Sequence, residues 1–163
     1  MSKFKVSLIE SFGIFLLLLF GACSPALTIE RRTEDQSKEL KVLVPKDGQR
    51  IGEGDSLCPA AQKFCNKLRA EGRVPSGYAP FFGVEPIAVS PKIWIQPVIQ
   101  GTRSDGTFSG LVYLGEEFNG AGEYFKIYVL ACKDKERFHT GDVSMGAPKD
   151  CLMSEPVEVL RTR

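Results

Sequence analysis

Between Gly106 and Cys132 the chain reads GTFSGLVYLGEEFNGAGEYFKIYVLAC, two alternating apolar runs on either side of a glycine-rich stretch. A period of two places successive side chains on opposite faces, which is the pattern of a strand with one buried side. In the second run Phe125, Ile127, Val129 and Ala131 share one face, with Tyr124, Lys126 and Tyr128 on the other. In the first, Phe108, Gly110, Val112 and Leu114 oppose Thr107, Ser109, Leu111 and Tyr113. That opposing face is only partly polar, so this strand is expected to be central or partly covered. The two runs read as the arms of a β-hairpin opened by the turn Ser104-Asp105-Gly106. Their connection, Gly115 to Glu123, is longer than a two-residue turn, and Asn119, Gly120 and Gly122 within it tolerate positive φ. The density of β-branched and aromatic residues, bounded by glycines, argues against a buried helix.

The rest of the chain fits strands better than helices. Leu40 to Val44 reads as a first strand and stops at Pro45 and a Lys46-Asp47-Gly48 turn. The stretch from Cys58 to Cys65 reads as a loop or helical turn, after which Leu68, Ala70, Gly72 and Val74 alternate as a strand. Tyr78 to Ile87 is extended and interrupted by Pro80 and Pro86, which predicts a sheet edge or bulge. Lys92 to Gln96 is a strand with Ile93 and Ile95 opposite Trp94, and Pro156 to Leu160 supplies a last one with Val157 and Val159 on one face. Lys133 to Cys151 is polar and rich in turn residues, so it reads as a long loop. Five to seven short strands with frequent turns imply an all-β, antiparallel β-sandwich of about seven strands.

The N-terminal residues predict the compartment. Lys3 and Lys5 precede an apolar run from Phe12 to Phe20 that ends at Gly21-Ala22-Cys23. This is the order of a secretory signal, and the run is shorter than the roughly 20 residues that span a bilayer. The residues LFGAC resemble the lipobox of bacterial lipoproteins, with Phe20 standing where that family usually carries leucine. The resemblance implies cleavage after Ala22 and lipidation of Cys23, with the membrane as a partner through that lipid anchor. Two or three acyl chains hold a protein far more firmly than one. The layout is then residues 1–22 as signal peptide, 23–38 as lipidated N-terminus and tether, and 39–163 as the folded domain. The tether, including TIERRTEDQSK, has no apolar period.

With 163 residues, 43% of them hydrophobic, the chain is long enough for one domain with a real core. It holds 21 basic and 20 acidic residues, and losing Lys3, Lys5 and Glu10 with the signal leaves the mature chain with no formal net charge. Such a balance offers no global field for nucleic acid. Leu68 to Ala131 also resembles the immunoglobulin-like or fibronectin-like domains of bacterial surface proteins and lipoproteins, on LRAEGRVP, GVEP, KIWIQP and the DGTFSG-to-GEYFKI pair. That resemblance rests on structural residues and implies a fold without an activity.

Of five cysteines, setting Cys23 aside leaves Cys58, Cys65, Cys132 and Cys151. In an exported protein these are expected to form disulfides, since no CxxC spacing points to zinc. The immunoglobulin habit would join Cys65 to Cys132. Side-chain parity instead places Cys65 with Lys67, Arg69 and Arg73, and Cys132 with Lys126, both facing outward, which favours the local bridges Cys58–Cys65 and Cys132–Cys151.

No catalytic set, metal site or cofactor motif is evident. The single histidine, His139, falls in the polar loop, and neither a nucleophile motif nor a phosphate-cradling glycine run is present. Glu116, Glu117 and Glu123 flank the turn as carboxylates able to approach calcium, and read more simply as a solvated turn. The candidate binding surface is aromatic: Tyr78, Phe81, Phe82 and Trp94, facing a carbohydrate or another envelope protein. The sequence therefore predicts a non-catalytic binding or structural module, displayed outside the cytoplasmic membrane on the periplasmic face or cell surface. An accessory subunit of an envelope enzyme or transport complex is the alternative.

Overall fold

The alternation of apolar residues decides which strand faces meet, and two sheets meet here. The structure, a computed structural model, describes residues 40–59, 65–116 and 120–162. One sheet has four strands: β1 (Lys41–Val44), β3 (Lys67–Arg73), β7 (Thr107–Tyr113) and β6 (Val98–Gln100), in that order. The other runs β2 (Gln49–Ile51), β11 (Val157–Arg161), β8 (Tyr124–Cys132), β4 (Ala79–Pro86), β5 (Lys92–Gln96) and β9 (Val143–Met145). A further strand, β10 (Cys151–Met153), pairs with β8 at its C-terminal end. Every pairing is antiparallel except β2 with β11.

The chain is therefore all-β, with eleven strands among the described residues rather than about seven. The extra ones, β2, β6, β9 and β10, have three residues each, too few for alternation to show.

The expected core faces are the observed ones. Leu68 and Ala70 of β3 and Phe108 and Val112 of β7 pack against Phe82 and Val84 of β4 and Phe125, Ile127, Val129 and Ala131 of β8. Phe82 and Phe108 touch with ring centroids 4.6 Å apart. The sheets approach so closely here that a Cβ added at Gly72 would lie 2.6 Å from a Val129 methyl and 2.7 Å from Phe108.

The expected hairpin is not formed. Its two strands have the right faces but lie in different sheets, β7 between β3 and β6, and β8 between β11 and β4. The connection that is too long for a tight turn crosses from one sheet to the other. Arg161, only 1% exposed, ties down that crossing. Its Nη1 donates to the carbonyls of Leu114 (2.8 Å) and Glu116 (2.6 Å), and its backbone N–H donates to Glu123 O at 3.0 Å. Gly120, at φ +96°, lets the chain pass close by, since a Cβ there would sit 3.0 Å from Arg161 Nη1. Burial lowers the guanidinium's pKa, partly offset by the charge of Glu123.

The segment with Pro80 and Pro86 is likewise not at an edge: β4 is central, pairing with β8 over its whole length. The prolines are tolerated because β5 pairs only with Phe82, Gly83 and Val84, leaving both outside that ladder.

Candidate functional site

The larger sheet has a second apolar face, away from the four-stranded sheet. Ala79, Phe81, Ile95, Leu130 and Cys132 form a separate buried cluster there, with Phe138, Cys151 and Met153 packed on it. The cover comes from the long connection after β8, which the sequence presents as a polar loop. Phe138 plugs it down, meeting Phe81 edge-on at 5.6 Å between ring centroids. Two side-chain-to-backbone turns shape the connection: Asp134 Oδ1 accepts from the Glu136 N–H at 2.9 Å, and Asp142 Oδ2 from the His139 N–H at 2.8 Å. Gly141 and Asp142 then bond to the Ile95 backbone, at 2.9 Å each, and lead into β9.

Two disulfides are present, Cys58–Cys65 and Cys132–Cys151. Cys132 and Cys151 are directly opposed across β8 and β10, with Cα atoms 4.3 Å apart. The outward orientation expected for Cys65 is corrected, and that expected for Cys132 is met without the exposure it suggested. Cys65 precedes β3, outside its parity, and joins the main core; Cys132 does face away from that core but is buried under the loop.

Where the turn before β4 meets the start of this loop, a cleft of about 650 Å³ opens. Tyr78, Phe81 and Phe138 give it aromatic walls, Lys133 and Lys135 give it charge, and Thr102 and Thr140 add hydroxyls. No carboxylate side chain lines it among the described residues. Gly101 is on its rim with open space where a Cβ would be. The volume lies within the ~300–1,000 Å³ typical of small-ligand sites.

Of the four aromatic candidates, the structure brings Tyr78 and Phe81 together in this cleft. Phe82 belongs instead to the main core, fully buried, because the alternation that turns Phe81 outward turns its neighbour in. Trp94 is half-buried elsewhere, in a smaller hollow with Pro86, Tyr113 and Glu116. It faces the same side as Val84, its partner across β4 and β5, whereas Ile93 and Ile95 are buried on the other side of the sheet. Nearby exposed apolar residues are Val143, paired with Trp94, and Met145, paired with Lys92.

Cys23 and Glu117 lie outside the described residues. His139 is exposed, its Nδ1 3.8 Å from Asp142 Oδ2. Sequence reading missed Lys133, Lys135 and Phe138. The available signal was Phe138 itself, the one aromatic residue in an otherwise polar run.

A buried carboxylate is also present on the outer face of the larger sheet. Glu85 accepts hydrogen bonds from Tyr128 Oη (2.6 Å) and from Ser90 Oγ, and lies opposite Lys126 in the ladder. Burial alone would raise its pKa, but these two hydrogen bonds and the Lys126 charge outweigh it and hold the carboxyl below the usual range. Burial and the neighbouring carboxylate push the Tyr128 phenol well up, so it remains the donor. This group latches β4 to β8 and to the 3-10 turn Ile87–Val89 and does not border the cleft.

No protein-family model, curated protein or solved structure matches the chain.

Proposed function

We propose that the protein is a membrane-anchored extracytoplasmic lipoprotein whose immunoglobulin-like domain serves the cell envelope as a non-catalytic binding module. The observation that carries the binding role is the open, aromatic and cationic cleft at one end of the sheets. The strand order supports the immunoglobulin-like part. The sheet β1-β3-β7-β6 follows the A-B-E-D order of that fold, and β11-β8-β4-β5 follows G-F-C-C′. The first strand is split, its second half pairing in parallel with the last strand. In this register the cleft sits among the B–C, D–E and F–G connections, the end where immunoglobulin variable domains place binding loops. Two disulfides suit an oxidising compartment.

Two measurements test the proposal. Cys23→Ala should release the protein from membranes, and undiminished membrane retention would refute the anchor. Purified protein should be retained by protease-treated envelope material, and Gly101→Trp, which adds an indole at the cleft rim where a Cβ meets nothing within 4 Å, should abolish retention. Equal retention of both proteins would remove the cleft from the function.

The exposed apolar edge formed by Val143 and Met145 beside Trp94 favours the second reading, an accessory subunit of an envelope complex. Val143→Glu/Met145→Glu would then lower recovery of a defined complex on co-purification while leaving retention by envelope material intact.

A further inference from the structure

The cleft's chemistry narrows what it can hold. Its only charged lining residues among those described are Lys133 and Lys135, so an anionic group is favoured and a cation is not. The chain as a whole is nearly neutral, with 21 basic and 20 acidic residues, so this bias is local to the cleft. Of the acidic residues interleaved with these lysines, Asp134 accepts the Glu136 backbone N–H and borders a neighbouring hollow, and neither it nor Glu136 lines the cleft. The aromatic lining is Tyr78, half-buried and packed in part on the main core, together with Phe81 and Phe138, which meet edge-on. Exposed Thr102 and Thr140 supply uncharged hydroxyl donors and acceptors at the rim. A rigid aromatic wall suits the C–H face of a ring, hydroxyls suit hydroxyls, and a lysine ammonium suits a carboxylate.

We propose that the cleft binds an acidic saccharide, a sugar ring stacked against Tyr78 with its carboxylate held by Lys133 and Lys135. This rests on the binding-module reading above and deepens it by naming the ligand class. The lysines provide the selection for charge. The aromatic wall provides the selection for a ring over a flexible acidic chain.

The test is calorimetric titration of the intact folded protein with three probes: trigalacturonate, the neutral maltotriose, and a hexaglutamate peptide. Trigalacturonate should bind with sub-millimolar affinity, at least tenfold more tightly than either other probe, and more weakly as salt is raised. Lys133→Gln/Lys135→Gln should weaken it about tenfold, as expected for two solvent-exposed charge contacts. Both lysines are exposed, so this variant should keep the wild-type urea midpoint, separating lost binding from lost folding. Equal binding of maltotriose, equal or tighter binding of hexaglutamate, an unweakened lysine variant, or no trigalacturonate binding at millimolar concentration would each overturn the proposal. If trigalacturonate fails while Gly101→Trp still abolishes envelope retention, the saccharide inference falls and the binding module stands. If Gly101→Trp changes nothing, the binding-module reading falls as well.

Discussion

Replacing Cys132 and Cys151 together by alanine tests how the cleft loop is held. The bridge closes a loop of 19 residues in sequence separation, and chain-entropy reasoning gives about 3 kcal/mol of stabilisation for a loop of that size. The native loop has other anchors, the Phe81–Phe138 contact and the backbone bonds of Gly141 and Asp142 to Ile95, so the folded structure should survive the change. The cost should therefore appear mainly through the unfolded chain, which gains freedom and exposes more surface. Urea unfolding, followed by the fluorescence of the single tryptophan, Trp94 of β5, should show a lower midpoint and a somewhat steeper slope. The extrapolated loss should be about 3 kcal/mol. A loss below about 1 kcal/mol would refute the reasoning. So would non-reduced peptide mapping of the wild type that links Cys65 to Cys132.

Three further outcomes are expected. Tyr128→Phe removes the phenolic hydrogen bond to Glu85 and should cost about 1.5–3 kcal/mol near neutral pH, measured by urea unfolding. Because the folded pKa of Glu85 is depressed below its ordinary 4.5, its contribution is present above that value and lost as pH falls through the lower folded value. The gap between wild type and variant should accordingly narrow in acid, and a pH-independent gap would contradict the assignment. Gly72→Ala should destabilise by about 1–3 kcal/mol, because Val129 and Phe108 must move, and a neutral result in thermal unfolding would contradict the close approach of the sheets. Arg161→Met strands the Leu114 and Glu116 carbonyls and should cost about 3 kcal/mol, with hydrogen exchange accelerating around the β7–β8 crossing first.

Side-chain parity was legible in the sequence, and pairing was not. Phe125, Ile127, Val129 and Ala131 announce an inward face by themselves, because alternation is local. Which strand lies beside them depends on contacts far away in the chain, so β7 and β8, adjacent in sequence, could be read as a hairpin although they sit in opposite sheets. The prolines of β4 misled for a related reason: a proline is barred only where a neighbour needs its N–H, and the β4–β5 ladder covers only Phe82 to Val84.

The cleft was half legible. Tyr78 and Phe81 stood out as aromatic residues beside a turn, whereas Phe82 carried the same signal and belongs to the core. Lys133 and Lys135 looked like part of a solvated charged run. Their setting emerges only once Phe138 pins that run over Phe81.

The central claim, that this loop-end cleft is where the protein binds, is tested most directly by chemical-shift mapping of isotope-labelled protein during titration with trigalacturonate. Saturable shifts are expected at Tyr78, Gly101, Thr102, Lys133, Lys135 and Thr140, with Trp94 and Tyr113 unmoved. Shifts gathered at Trp94, Tyr113, Val143 and Met145, with the cleft residues silent, would contradict it.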